Sequence, residues 1–253
     1  MVETLDHLAG SWKIYQLKSV HRFSADDVLT AWTAGRVCPQ ATEILDLGSG
    51  LGSVGLLTLF RLPQARLTGV EVQQLSFELA LKTVAHNQLE SQVRFLRQDL
   101  RDPLELGKFP LVTGSPPYFP LGKATVSPHP QRAAARCELH GDVFDYCRVA
   151  AEHLRPEGRF VFVHAAGDVR PEQAVQASGL TLLARQNVLF RSHLEPTVAL
   201  FVCGLGGRRQ DLPPFVIRDP QGNWTDEYLA MRAEMGTVGL RRASVEADAH
   251  GTQ

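Results

Sequence analysis

From residue 43 onward, short apolar runs alternate with segments in which apolar residues recur at helical spacing. The apolar runs predict seven strands, at residues 43–47, 66–72, 93–98, 111–113, 159–164, 180–190 and 197–203. Helical spacing predicts helices at residues 52–62, 75–89, 143–154 and 171–178. Strands that alternate with helices in this way build a parallel sheet with helices on both faces. The pattern therefore predicts an α/β, Rossmann-like fold.

The last two predicted strands lie close together in the chain. Residues 191–196 connect them, and this connection is too short for a helical crossover. We therefore expect a mostly parallel sheet that ends in an antiparallel C-terminal hairpin. The core at 43–204 is flanked by an N-terminal extension (1–42), a C-terminal extension (205–241) and a polar, flexible tail (242–253).

Composition and charge are those of an ordinary globular protein. The 253 residues are 44% hydrophobic and 21% charged, with a net charge of −1, so bulk charge indicates neither nucleic acid nor an anionic membrane. The N-terminus lacks the basic and apolar regions of a signal peptide, and no apolar run approaches the ~18 residues of a membrane span. We expect a cytoplasmic protein without a membrane partner, and a monomer or weak dimer.

Metal chemistry is not indicated by the cysteines or histidines. The four cysteines are scattered, without a C-x-x-C pair, and the nine histidines show no metal-ligand spacing. We expect reduced, partly buried cysteines and no metal site.

A glycine-rich segment directly follows the first core strand, where residues 46–52 read Asp-Leu-Gly-Ser-Gly-Leu-Gly. Glycines let the chain turn sharply and approach a ligand, and the next helix presents free N–H groups to it. Glu71 ends the second strand, where a carboxylate can bind both ribose hydroxyls, and Asp99 ends the third, placed to accept from an adenine amino group. Asp46 suits a cationic methionyl group better than a pyrophosphate, which it would repel. The segment predicts an adenosine cofactor; the alternative is a tight turn without a ligand.

A further loop, Ser115-Pro-Pro-Tyr118, follows the fourth strand. An exocyclic amine is a poor nucleophile, because its lone pair is delocalised into the ring, and it needs acceptors for its two hydrogens. The Ser115 hydroxyl and the Pro116 carbonyl can supply them, while Pro116 and Pro117 fix the turn in advance. Tyr118 and Phe119 offer flat faces for stacking. Together the loops favour methyl transfer from S-adenosylmethionine to an amino nitrogen; taken alone, this loop is more typical of a rigid turn that caps a strand.

With both loops identified, the chain resembles the class I S-adenosylmethionine-dependent methyltransferases that carry an Asn/Asp/Ser-Pro-Pro-Tyr motif. More narrowly, it resembles the bacterial tRNA1(Val) adenine-37 N6-methyltransferase family, through residues 21–29, 130–140 and 215–228. The stretch at 21–29 is similar to the family's segment that folds over the cofactor, so we expect residues 1–42 to pack on the cofactor side. The stretch at 130–140 is similar to the family's basic loop, and the stretch at 215–228 to its C-terminal segment.

The loops and the resemblance together give the expected site residues. The expected cofactor contacts are Phe23, Asp46, Gly48, Ser49, Gly50, Gly52, Glu71, Val72, Asp99 and Leu100. The expected catalytic residues, around the acceptor nitrogen, are Ser115, Pro116, Pro117 and Tyr118. The expected substrate contacts are Phe119, Lys123, Arg132 and Arg136. The basic residues suit RNA phosphates, although a solvated loop has the same composition.

The resemblance implies adenine N6 of tRNA as acceptor, and other interpretations stay open. The family's motif usually begins with Asn, and Ser115 in that place also occurs in enzymes that methylate cytosine N4. A protein glutamine amide is a further possible acceptor, and a homologue that binds nucleic acid without catalysis is another possibility. A nicotinamide oxidoreductase on the same glycine loop leaves the Ser-Pro-Pro-Tyr loop unexplained.

Overall fold

The computed structural model describes residues 2–18, 20–122 and 127–238. Its strands are β1 (Glu3–Ala9), β2 (Trp12–Leu17), β3 (Glu43–Leu47), β4 (Arg66–Glu71), β5 (Val93–Arg97), β6 (Phe109–Gly114), β7 (Leu154–Ala165), β8 (Thr181–Leu189), β9 (Val198–Gly204) and β10 (Phe215–Val216). Its helices are α1 (Ala25–Val37), α2 (Ser53–Arg61), α3 (Gln74–His86), α4 (Pro130–Arg136), α5 (Val143–His153), α6 (Arg170–Ala177) and α7 (Asp226–Glu234).

One eight-stranded sheet forms the centre of the described molecule, in the order β10-β8-β9-β7-β6-β3-β4-β5. Neighbouring strands from β5 to β7 run parallel, whereas β9 is antiparallel to both β7 and β8. The predicted α/β fold and the antiparallel hairpin are therefore confirmed. The two-residue strand β10 lies parallel to β8 and extends the seven predicted strands at one edge.

The central strands are buried on both faces, which explains why their sequences are mostly apolar and do not alternate with polar residues. In β3, only Glu43 is partly exposed, and Ile44 and Leu45 belong to different hydrophobic clusters on opposite sides of the sheet. Helices α1, α2 and α3 contribute to the first cluster, and α5 and α6 to the other. The carboxyl ends of β3, β4, β5 and β6 consequently meet at one edge of the sheet.

Several elements differ from the prediction. The β1–β2 hairpin, α1, α4 and α7 occur where the apolar pattern indicated no element, and β7 begins at Leu154 directly after α5. Helix α4 has a proline at its first position and three alanines, so its local sequence favours a helix where a loop was expected. The tail at 242–253 lies outside the described residues. Within the described part of the chain, no helix is long and apolar enough to cross a bilayer.

Helix α1 belongs to the N-terminal extension and packs against α2. Its first turn is fixed by a capping box, in which the Ser24 amide donates to Asp27 Oδ2 at 2.7 Å and the Ser24 hydroxyl accepts in return from helix amides. The Trp32 indole donates to Glu234 of α7 at 2.9 Å, which joins the N- and C-terminal extensions. The beginning of α1 is held beside the glycine-rich loop by the Ser53 hydroxyl of α2, which donates to Asp27.

Candidate active site

A cavity of about 380 Å³ lies at the carboxyl edge of the sheet. Residues that directly follow or end four neighbouring strands line it: Gly48 after β3, Glu71 at the end of β4, Gln98 after β5 and Ser115 after β6. This volume is within the range of small-molecule sites, and the position is the one where open α/β sheets bind ligands. Both loops singled out in the sequence face the same cavity.

The glycine-rich loop takes a backbone conformation that suits glycine. Gly48, Gly50 and Gly52 have φ angles of 58°, 55° and 82°. A Cβ atom at Gly48 would lie 1.7 Å from the hydroxyl of Tyr146, whereas one at Gly50 would meet no atom nearer than 4.0 Å. Gly48 is thus required by packing, and Gly50 turns an open backbone surface toward the cavity.

Glu71 fixes the shape of this loop. One of its carboxylate oxygens accepts from the Gly50 amide at 2.7 Å and the other from the Gln73 amide at 2.7 Å. Burial raises the pKa of Glu71, and the backbone N–H groups partly offset that effect. Each oxygen keeps a further lone pair, so Glu71 can still accept from hydroxyl groups of a ligand.

Asp46 is almost fully buried, at 1% exposure, and its side chain also reaches the cavity. Its carboxylate accepts from the Thr113 hydroxyl at 2.8 Å and from the Gly55 amide at 3.0 Å. Burial raises the pKa of Asp46 to about 7, against the effect of these two donors. An ionised Asp46 therefore favours a positively charged group in the cavity.

The Ser-Pro-Pro-Tyr loop contributes another part of the cavity wall. Residues 115–119 all line the cavity. The hydroxyl of Tyr118 donates to Asp26 Oδ2 at 3.1 Å, and its ring lies 5.1 Å from the ring of His164 at an angle of 55°. Burial raises the pKa of Tyr118 well above its usual value, so its hydroxyl stays protonated and remains a donor.

The N-terminal extension supplies cavity residues that the sequence analysis did not assign to the site. His21, Ser24, Asp26 and Asp27 line the cavity, and the Ser53 hydroxyl of α2 donates to Asp27 at 2.9 Å. Burial, helped by the neighbouring Asp27, raises the pKa of Asp26 to about 6. The signal for these residues was present in the stretch 21–29, which the resemblance placed over the cofactor.

Most of the expected site residues line the cavity. Those that do are Asp46, Gly48, Ser49, Gly50, Glu71, Val72, Leu100, Ser115, Pro116, Pro117, Tyr118, Phe119 and Arg136. Phe23, Gly52, Asp99 and Arg132 are not among its lining residues, and Lys123 lies outside the described part of the chain.

Two of these exceptions have local physical reasons. The carboxylate of Asp99 is bound by the guanidinium of Arg101, with nitrogen–oxygen distances of 2.6 and 2.9 Å. At Gly52, a Cβ atom would lie 2.8 Å from the ring of Phe95, so this glycine allows close packing behind the loop. Contact of Asp99 or Gly52 with a cofactor stays a prediction.

Comparison with known proteins identifies the family. The model of the methyltransferase small domain family matches residues 35–176, more than half of the chain. The chain belongs to this family. It is a class I S-adenosylmethionine-dependent methyltransferase, which confirms the resemblance seen in the sequence.

Individual relatives agree with this assignment. A tRNA1(Val) (adenine(37)-N6)-methyltransferase from Flavobacteriaceae bacterium (strain 3519-10) is 29% identical over 72% of this chain and 77% of its own length. The protein of that name from Porphyromonas gingivalis is 28% identical over 88% of this chain and 92% of its own.

Solved structures share the fold of this methyltransferase. A predicted O-methyltransferase from Agrobacterium tumefaciens superposes with a TM-score of 0.65 at 19% identity, covering 83% of this chain and 96% of that one. TrmN from Thermus thermophilus superposes with a TM-score of 0.51 at 20% identity, covering 70% of this chain and 48% of that one.

The residues present in the cavity fit S-adenosylmethionine. Ser49 Oγ is buried at the cavity wall and has no hydrogen-bond partner among the described residues, and Gly50 leaves a backbone surface uncovered. The carboxyl groups of Asp26, Asp46 and Glu71 suit a ligand with a sulfonium and an ammonium group. In the described residues, no group of three or more His, Cys, Asp or Glu is arranged to hold a metal ion.

The pKa of Asp46 predicts how the affinity for S-adenosylhomocysteine depends on pH. Because this pKa is raised to about 7, the carboxyl group takes up a proton as the pH falls from 8 to 6. The ammonium group of the ligand favours the ionised form, so affinity is nearly full at pH 8 and decreases as the pH falls through 7. By isothermal titration calorimetry, we expect the dissociation constant to rise about 10-fold from pH 8 to pH 6. A dissociation constant that does not change over this range would show that the ligand does not interact with the carboxyl group of Asp46.

Proposed function

We propose that this methyltransferase transfers the methyl group to an exocyclic amino nitrogen, adenine N6 of a tRNA. The observation that carries the proposal is that the Ser-Pro-Pro-Tyr loop and the glycine-rich loop line one cavity. The names of the relatives support the choice of acceptor, since several are tRNA1(Val) (adenine(37)-N6)-methyltransferases. A tRNA substrate also accords with the predicted cytoplasmic location.

The cofactor would lie against the glycine-rich loop. Glu71 would accept from its ribose hydroxyls, the Gly50 backbone would lie against it, and Asp46 would face its cationic end. The N-terminal extension, through Asp26 and Asp27, would cover it from the side of α1. S-adenosylmethionine supplies an electrophilic methyl group on a sulfonium centre.

The amino nitrogen would be held by the Ser-Pro-Pro-Tyr loop. The Ser115 hydroxyl and the Pro116 carbonyl would accept its two hydrogens, which directs the lone pair of the nitrogen outward. The ring of Tyr118 would stack on the base, and the two prolines hold these groups in place before the base arrives. Serine is shorter than the usual asparagine, so the Ser115 hydroxyl and the amino group must come closer together.

Helix α4 supplies a basic surface at the rim of the cavity. Arg136 lines the cavity and lies over the ring of Phe119, 5.2 Å from its centre, and Arg132 is exposed one turn earlier. Guanidinium groups there suit the phosphates beside a base that has been turned out of its stack. The cavity itself is lined by several carboxyl groups, which would repel a phosphate. A neutral base is therefore favoured inside the cavity, and the RNA phosphates are favoured at its rim.

A protein acceptor is the alternative candidate. A ribosomal protein uL3 glutamine methyltransferase from Bradyrhizobium diazoefficiens is 29% identical over 49% of this chain and 41% of its own length. A side-chain amide is also planar and carries two hydrogens, so the same loop can hold it. The coverage of the tRNA methyltransferase relatives is larger and favours RNA.

Nucleoside mass spectrometry of tRNA from a deletion strain and its parent tests the proposal. We expect the deletion to remove one N6-methyladenosine and a plasmid copy of the gene to restore it. A copy with Ser115→Gly, which lacks the hydroxyl acceptor, should restore much less. An unchanged nucleoside profile would contradict tRNA as the substrate and direct the search to DNA and protein.

A further inference from the structure

Arg170 contacts the backbone of the Ser-Pro-Pro-Tyr loop but does not line the cavity. It is the first residue of α6, and its Nη2 donates to the backbone carbonyl of Tyr118 at 3.2 Å. It is not among the residues that line the cavity, and only 22% of its side chain is exposed. Arg170 therefore contacts the loop without access to the space that a substrate would occupy.

Two carboxylates hold the guanidinium group of Arg170 in place. Asp168 accepts from Nε at 2.9 Å, and Glu138 accepts from Nη1 at 2.5 Å. Their side chains are 16% and 11% exposed, so water screens these ion pairs only weakly. The two carboxylates raise the pKa of Arg170, and Arg170 in turn lowers the pKa of Asp168.

Glu138 is itself attached to the loop through its backbone. Its amide donates to the Phe119 carbonyl at 3.1 Å, and the Phe119 amide donates to the Arg136 carbonyl at 3.0 Å. Arg170, Asp168 and Glu138, called here the Arg170 clamp, thus join three segments: the loop after β6, the segment after α4 and the start of α6. The clamp closes a ring of hydrogen bonds around the backbone of Tyr118 and Phe119.

We propose that Arg170 is a positioning residue for methyl transfer, which fixes the backbone of Tyr118 through the clamp and so sets the direction of its ring. This inference rests on the proposed function, because it takes the loop to hold the acceptor. Only a guanidinium has donors in a planar fork that can serve Glu138, Asp168 and the Tyr118 carbonyl at once. A displacement of the acceptor by about 1 Å can cost 100-fold in rate, so a support outside the cavity can control turnover.

The test compares Arg170→Met with Arg185→Met. Arg185 is a matched control: its side chain is 24% exposed, it pairs with Glu172 at 2.9 Å, and it donates to the Ala166 carbonyl at 2.6 Å. Neither of these partners belongs to the 115–119 loop. We expect Arg170→Met to lower kcat about 10- to 100-fold, with KM for tRNA and the dissociation constant of S-adenosylhomocysteine changed less than about threefold. Arg185→Met should leave kcat near the wild-type value.

A spectroscopic readout tests the clamp without any substrate. The chain has four tyrosines, and 19F spectra of protein labelled with 3-fluorotyrosine give one signal for each. The Tyr118 signal is identified by its loss in Tyr118→Phe. We expect it to shift or broaden in Arg170→Met and to stay in place in Arg185→Met.

The outcomes separate the clamp from the proposed function. Equal kcat values for the two methionine variants, or an unchanged Tyr118 signal in Arg170→Met, would overturn the positioning role. If the wild-type protein methylates no tRNA, the proposed function is wrong. In that case the 19F spectra alone show whether Arg170 positions Tyr118. If Arg170→Met does not fold, Arg170→Lys replaces it with the same readouts, because one ammonium cannot serve all three acceptors in the geometry of the fork.

Discussion

Replacing Tyr118 with alanine is expected to abolish turnover while cofactor binding survives. The ring would supply the flat surface on which the acceptor base stacks, and it belongs to a different segment of the cavity lining from Gly50 and Glu71. We expect kcat/KM for methyl transfer to fall about 100-fold or more. The dissociation constant of S-adenosylhomocysteine, measured by calorimetry, should change by less than about threefold.

Tyr118→Phe is the control for this substitution. It keeps the ring and removes the hydroxyl, with its hydrogen bonds to Asp26 at 3.1 Å and to Ser115, so we expect it to retain most of the activity. If the phenylalanine and alanine variants lose activity equally, the hydroxyl is the required group and stacking is not. If Tyr118→Ala retains wild-type kcat/KM, the loop does not hold the acceptor.

Replacing Asp46 with alanine should have its main effect on the cofactor. This buried carboxylate accepts from Thr113 and Gly55, and it faces the cavity beside the glycine-rich loop. Its loss leaves two buried donors unpaired and removes a negative charge that suits a cationic ligand. We expect the dissociation constant of S-adenosylhomocysteine to rise about 30-fold or more, corresponding to at least about 2 kcal/mol.

The matched control is Asp102→Ala, which removes an exposed carboxylate outside the cavity lining. Thermal unfolding of Asp46→Ala shows whether the fold is intact at the temperature of the binding experiment. Where the variant is too unstable, Thr113→Val removes one donor to Asp46 and should weaken binding in the same direction, by a smaller factor. Unchanged affinity in both Asp46→Ala and Thr113→Val would exclude Asp46 from the cofactor site.

The core of the fold is readable from the sequence because its strands are buried on both faces. Parallel strands such as β3 and β6 are mostly apolar, and the glycine and proline residues between elements mark their ends. The β1–β2 hairpin escaped prediction because its strands are partly exposed and polar. Tertiary contacts hold this hairpin against α3, where the Lys13 amide donates to Asn87 at 2.9 Å and the Tyr15 amide to Thr83 at 3.0 Å.

The candidate site was predictable where it depends on strand ends. The glycine-rich loop and the Ser-Pro-Pro-Tyr loop each follow a strand, and topology brings the carboxyl ends of those strands to one edge. Asp26 and Arg170 do not lie at strand ends, and they contact Tyr118 across 92 and 52 residues of chain. The resemblance at 21–29 pointed to the segment that holds Asp26, whereas no pattern in the sequence pointed to Arg170.

Transfer of a deuterated methyl group in vitro shows whether this protein methylates N6 of a tRNA adenosine. Purified protein is incubated with S-adenosylmethionine carrying a CD3 group and with tRNA from the deletion strain, and the digested nucleosides are analysed by mass spectrometry. We expect CD3 on N6-methyladenosine for the wild-type protein and none for Tyr118→Ala, although both bind S-adenosylhomocysteine. Label on another nucleoside or on protein, or no label from wild-type protein that binds S-adenosylhomocysteine, would contradict it.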